Sequence, residues 1–92
     1  MMKYFILTYT TVEDYIERRM PFRDVHLGLA AEFQQMGVLI MAGALNPADK
    51  AVLVFQCEDE SLVKEFVSRD PYVKNGLITT WEIREWKVVV GG

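Results

Sequence analysis

The sequence predicts an α+β fold of ferredoxin-like type: a βαββαβ chain with a C-terminal β tail, whose antiparallel sheet carries two helices on one face. Three observations predict it. Stretches rich in β-branched and aromatic residues alternate with two amphipathic helical patterns in the order β-α-β-β-α-β. The 92 residues fit one domain, spanning 1–92, with a core too thin to be generous. The strands are also apolar on both faces, more than two helices can cover.

Lys3 to Thr10 reads as the first strand, because Tyr4, Phe5, Ile6, Leu7 and Thr8 crowd together. Thr11 is placed as a helix N-cap, with Asp14 three residues on in the manner of a capping box. Pro21 does not suit a helix interior, so a short first turn gives way to a new helix near it. Phe22, Val25, Leu29, Phe33 and Met36 then recur at steps of 3, 4, 4 and 3, an apolar helical face that Gly37 stops.

The second strand is placed at Val38 to Leu45, the turn at Asn46-Pro47-Ala48-Asp49, and the third strand at Ala51 to Gln56. Glu58 to Glu60 open the second helix, where negative charge suits the positive end of the dipole. Leu62, Val63, Phe66 and Val67 form its buried stripe, and Asp70-Pro71 ends it. Leu77 to Val90 is strand again, with a bend expected near Arg84-Glu85, where polar and apolar positions exchange phase.

In the first strand Tyr4 and Ile6 oppose Phe5, Leu7 and Tyr9. In the second, Val38, Ile40 and Ala42 oppose Leu39, Met41 and Gly43. In the third, Leu53 and Phe55 oppose Val52 and Val54. One face remains uncovered by helices. A homodimer through that helix-free sheet face is the simplest cover, and it closes a barrel-like interior, a dimeric α+β barrel.

Composition excludes several functions. With 10 basic and 13 acidic side chains the formal charge is −3, which argues against a protein that lives on phosphate backbones. The aliphatic sheet also lacks the exposed aromatics in basic surroundings that read RNA, so no nucleic-acid partner is expected. A single cysteine, Cys57, allows no intrachain disulfide, zinc knuckle or iron–sulfur cluster, and its acidic neighbour Glu58 disfavours a thiolate. A single histidine, His26, allows no paired-imidazole metal site. No phosphate-cradling glycine loop and no nucleophile elbow occurs, so no metal and no cofactor are expected. The amino-terminal stretch does not read as a signal peptide, and the longest apolar run, Val38 to Leu45, is too short for a membrane span. The default expectation is a cytoplasmic protein with no membrane partner.

Three segments in order then resemble a known family. Glu17-Arg18-Arg19-Met20-Pro21-Phe22-Arg23 with His26-Leu27 resembles the opening helix of the YciI-like (YCII-related) proteins. Met41-Ala42-Gly43-Ala44-Leu45 is similar to their glycine-containing second strand. Asp70-Pro71-Tyr72-Val73-Lys74-Asn75-Gly76-Leu77, followed by Trp81 and Arg84-Glu85-Trp86, is the most specific part. The likeness implies a dimeric ferredoxin-like barrel whose cleft holds a histidine and an aspartate, here His26 and Asp70. A few relatives are linked to removal of chloride from hydroxylated aromatic rings, and the wider superfamily includes lactone isomerases and cofactor-free oxygenases. The family often has proline where Ala44 stands.

Each candidate has a functional and a structural reading. His26 suits a general acid/base, since an imidazole exchanges protons near neutral pH, and Asp70 would fix its tautomer. The plainer reading is a half-buried helix histidine whose ring N–H is merely satisfied. Asp70 before proline is also a common turn initiator. Arg19, Arg23 and His26 share a side if the helix runs through Pro21, a trio suited to an anionic substrate, with Arg23 the leading candidate. The plainer reading, and the one that exposed pairs favour, is a solvated basic edge answering Glu13, Asp14 and Glu17. Tyr72, Trp81 and Trp86 suit an aromatic-binding pocket or simply core and interface. Tyr9 and Tyr72 carry phenolic donors.

Three functions compete. The first is a small cofactor-free enzyme, with His26 and Asp70 catalytic and Arg23, Tyr72, Arg19 and Trp81 binding a small cyclic or aromatic acid for isomerisation or elimination. The second is a non-catalytic small-ligand-binding or interaction module using the same cleft. The third is a structural dimer whose pocket is filled by side chains. Fold alone does not choose among them.

Overall fold

Strand β1, Lys3–Thr11, lies inside a four-stranded antiparallel sheet of order β2-β3-β1-β4 in the computed structural model, which describes residues 1–92. The other strands are β2 (Leu39–Ala44), β3 (Lys50–Cys57) and β4 (Ile78–Trp86). Between β1 and β2 come a short helix α1 (Tyr15–Arg18), a 3₁₀ turn (Met20–Phe22) and the long helix α2 (Arg23–Gln35). Helices α3 (Ser61–Arg69) and α4 (Pro71–Lys74) join β3 to β4. This is the expected α+β, ferredoxin-like order, with the second helical segment split in two.

The alternation in β1 and β3 sorts their side chains as predicted. Phe5, Leu7 and Tyr9 pack toward the helices with Ala51, Leu53, Phe55 and Cys57, and all are buried. Tyr4, Ile6, Val52 and Val54 fill the opposite face and remain half-buried. Val63, Phe66 and Val67 complete the core from α3, and Phe33 and Phe55 each meet the Phe66 ring edge-on.

Several elements differ from expectation, each for a physical reason. Thr11 does not cap a helix. It ends β1, and its hydroxyl donates to the Ala48 carbonyl at 2.6 Å, tying the strand to the β2–β3 turn. Asp14, in the left-handed region at φ 60°, precedes α1 without a side-chain cap. The inward face of α2 runs through His26, Leu29, Ala30 and Phe33, while Val25 is 66% exposed and Met36 54%. Val25 sits about 100° round the helix from His26, and Met36 lies beyond the last turn.

In β2 a register shift between Leu39 and Met41 puts Leu39 and Ala42 on the helix side, opposite Phe55 and Leu53. Strict alternation would have separated Leu39 from Ala42, and a bulge restores them to one face. No bend occurs at Arg84-Glu85, since Ile6↔Arg84 and Phe5↔Glu85 pair in unbroken register. The irregularity sits at Thr10/Thr11 instead. Strand β4 ends at Trp86, so the expected β tail is not strand over 87–92.

The helix boundaries follow local chemistry. Gly37, at φ 77°, terminates α2, and the next amide, Val38 N–H, donates back to Phe33 O at 3.0 Å. The acidic run lies just ahead of α3: Asp59 Oδ1 accepts from the Ser61 hydroxyl and, at 2.9 Å, from the Ser61 N–H, and these two bonds, the hydroxyl's foremost, hold the Asp59 carboxyl below its ordinary range. Arg69 at the end of α3 reaches across to Glu32 of α2 with two 2.8 Å bonds, and that bidentate pair spans the two helices. Asp70 then leaves helical angles, as a residue before proline tends to, and Pro71 starts α4 at once. No helix is long and apolar enough to cross a membrane.

Candidate functional site

Asp70 is the only buried charged residue of the chain, at 0% exposure. A carboxylate in such a place must have its lone pairs taken up, and three donors do so. The Tyr72 backbone N–H donates to Oδ1 at 3.0 Å, the N-cap bond of α4. The Tyr9 hydroxyl, from the centre of the sheet, donates to Oδ2 at 2.8 Å. From α2, His26 Nδ1 lies 2.8 Å from Oδ1. A strand, a long helix and a helix start therefore converge on one side chain.

The His26 ring is held on its faces as well. It stacks on Tyr72 with centroids 3.8 Å apart and planes within 9°, and Phe66 approaches it edge-on at 6.3 Å. A carboxylate accepts, so Nδ1 is the nitrogen that donates to Asp70, and no protein group pairs with Nε2. The side chain keeps 15% exposure, toward a cavity of about 510 Å³ between α2 and the β2–β3–β1 part of the sheet.

That cavity brings most of the sequence-selected residues together. His26, Arg19, Arg23, Tyr72 and Tyr9 all line it. Trp81 does not: it sits on β4, cross-strand from Tyr9, 43% exposed and beyond the cavity rim. Because β4 flanks β1 on the side away from β3 and β2, a residue there cannot reach under α2. Trp86, on the helix-free face opposite Tyr4, is also remote. Tyr15, which sequence reasoning passed over, lines the cavity, and the Arg19 guanidinium lies over its ring at 5.3 Å. Its spacing of four from Arg19 on one helical stretch was the available signal.

The electrostatics are one-sided. Arg19 and Arg23 carry the permanent charges of the cavity, no carboxylate lines it, and neither arginine forms an ion pair. The solvated-edge reading, with Glu13, Asp14 or Glu17 as partners, does not describe them. Burial pushes the Tyr9 phenol far above its ordinary range, and the adjacent Asp70 carboxylate adds to the effect. Burial likewise raises Tyr15 and Tyr72, with the nearby arginine charges opposing it. All three phenols are therefore donors at neutral pH. Cys57 lies apart from the cavity with its thiol raised by burial, and then by Asp59. No cluster of three metal-ligating side chains occurs.

The arrangement can take up and return a proton at Nε2 while Asp70 holds the opposite nitrogen. It can also attract an anion to the two arginines.

No curated protein matches the chain. Among solved structures, the chain is similar to 5-chloro-2-hydroxyhydroquinone dehydrochlorinase from Burkholderia phenoliruptrix AC1100, in complex with 2,5-dihydroxybenzoquinone. The TM-score is 0.77 with 18% identity, over 91% of this chain and 93% of that one. At that identity the likeness is one of fold, and it matches the βαββαβ architecture described above. The model of the YCII-related domain matches residues 2–87, nearly the whole chain, and the protein belongs to the YCII-related, or YciI-like, family.

Proposed function

We propose that this protein is a small enzyme that needs no cofactor, moving a proton on a small cyclic or aromatic acid in an isomerisation or elimination. His26 Nε2 takes the proton and returns it or passes it to solvent, while Asp70 fixes the tautomer and steadies the imidazolium. Tyr9 anchors Asp70 from behind. Arg23, Arg19 and Tyr72 hold the substrate above the ring. A second copy packs on the helix-free face around Ile6, Val52 and Val54, and closes the barrel.

The observation that carries this reading is one imidazole with Nδ1 engaged by a buried carboxylate and Nε2 open to a cavity. A structural histidine would need no such cavity. Membership of the YCII-related family and a fold shared with a dehydrochlorinase support an enzymatic role.

The test is turnover. Hydroxylated aromatic acids and lactones are incubated with the protein in D₂O, and isomerisation, loss of a leaving group or deuterium incorporation is followed by NMR. Activity should vanish in His26→Gln and fall by roughly 10²–10⁴-fold in Asp70→Asn. Ligand binding that never leads to turnover, with affinity indifferent to Asp70→Asn, would make the cleft a binding module instead.

A further inference from the structure

Only two buried side-chain polar atoms in the chain lack a hydrogen-bond partner, Arg19 Nε and the Tyr72 hydroxyl. Both belong to residues that line the same cavity. Leaving one buried donor unmet is unfavourable, and native chains rarely leave such groups without a reason. Here the two come from different segments, the α1 end and α4, and Tyr72 is only 1% exposed.

Their surroundings define what they can accept. Arg19 is held against the Tyr15 ring rather than by a carboxylate, and Arg23 adds a second unpaired cation. The lining carries two cations and no anion, with Asp70 the one carboxylate bonded behind it, so in a chain of net charge −3 the cavity surface is locally positive. The rest of the lining is mainly apolar, with Ala30, Leu39, Ala42 and Leu53 among its residues, and the volume suits a single-ring molecule. The Tyr72 ring lies face to face with His26, so a group bound at the Tyr72 hydroxyl stands beside the imidazole.

We propose that Arg19 Nε and the Tyr72 hydroxyl, backed by the charge of Arg23, form a subsite for the carboxylate of a ring-bearing organic acid. Two unmet donors match the two oxygens of a carboxylate, whereas a phosphate would leave oxygens without partners. This rests on the acid/base reading of the cavity and assigns the substrate's acid group to named atoms within it. The substrate carries a carboxylate that stays ionised through the reaction, which sets it apart from neutral lactones and hydroquinones.

Calorimetric titration of the full chain with benzoate, benzamide and inorganic phosphate, at fixed ionic strength, tests the subsite. Benzoate should bind saturably and at least about tenfold more tightly than either other probe. Tyr72→Phe, which removes only the hydroxyl, and Arg19→Gln should each weaken benzoate several-fold and leave benzamide unchanged. If Arg19→Gln loses its fold, Arg23→Gln supplies the second charge variant. Absence of saturable benzoate binding, equal affinity for benzamide or phosphate, or variants that bind benzoate as wild type does would overturn the proposal. His26→Gln should retain the benzoate preference. That preference without turnover on any acid would sink the acid/base reading alone, and turnover without the preference would sink the subsite alone.

Discussion

Asp70 and His26, 44 positions apart in the chain, meet at 2.8 Å between Oδ1 and Nδ1, with the aspartate shut away from solvent and the imidazole facing a cavity. The contact dictates which ring nitrogen carries the proton. In the neutral imidazole it should be Nδ1, because a carboxylate accepts and does not donate. Long-range ¹H–¹⁵N NMR of the single histidine reads this directly. Asp70→Asn should shift the population toward the Nε2–H form, since an amide N–H can donate to Nδ1. An identical tautomer ratio in both proteins would dissolve the pairing.

Removing the carboxylate is a different matter from neutralising it. Asp70→Ala strands the Tyr9 hydroxyl and the Tyr72 N–H in the interior and removes the N-cap of α4. The summed cost should be about 3 kcal/mol or more. Urea denaturation should show Asp70→Ala well below Asp70→Asn in stability.

Tyr9 links the site to alkaline stability. Tyr9, Tyr15, Tyr72 and Cys57 are all harder to ionise folded than unfolded, each mainly through burial. Their protonated forms favour folding at neutral pH. That advantage is complete below the unfolded values, about 8.5 for a thiol and about 10 for a phenol, and is lost as pH climbs past them. The urea midpoint should hold steady from pH 7 to about 8 and then fall. Tyr9→Phe should lower stability at pH 7 by about 1–3 kcal/mol and make the alkaline decline shallower. A midpoint unchanged to pH 11 would contradict this.

The two sides of α2 should respond in opposite ways. Phe33, at 0% exposure, packs on Phe66, and Phe33→Ala should cost about 3–5 kcal/mol. Val25 faces outward, so Val25→Lys should change stability by no more than about 0.5 kcal/mol. Thermal melts of both variants check the pair.

If a second copy covers the helix-free face, light scattering should give twice the 10.6 kDa of one chain. Val54→Lys places a charge at the centre of that face and should yield monomers that keep wild-type far-UV circular dichroism. A wild-type monomer at micromolar concentration would leave the face open.

Strand and helix order was legible because period-2 and period-3.6 patterns are local properties of the sequence. So was Asp70-Pro71 as a helix stop. That the same dipeptide starts α4 was hidden, because termination already accounted for it. The α2 face was misread at Val25: hydrophobic identity favoured valine, while the tertiary contact that took the position next to it was polar, His26 on Asp70. The bulge at Leu39/Met41 left no mark in composition. The indole of Trp81 suits a pocket by its chemistry, and only sheet order, which no local pattern encodes, puts it on the far side of β1 from the cavity. The Tyr9–Asp70 bond joins residues 61 apart, and a tyrosine in a strand looks the same with or without it.

One side chain serves the turn between two helices and the imidazole across the cleft. Drift at residue 70 therefore meets two independent filters. A descendant would be held to aspartate by the demands of folding whatever the cleft does, and would carry a carboxylate already bonded to an imidazole into whatever task came next. In such a chain the persistence of the pair records the architecture first.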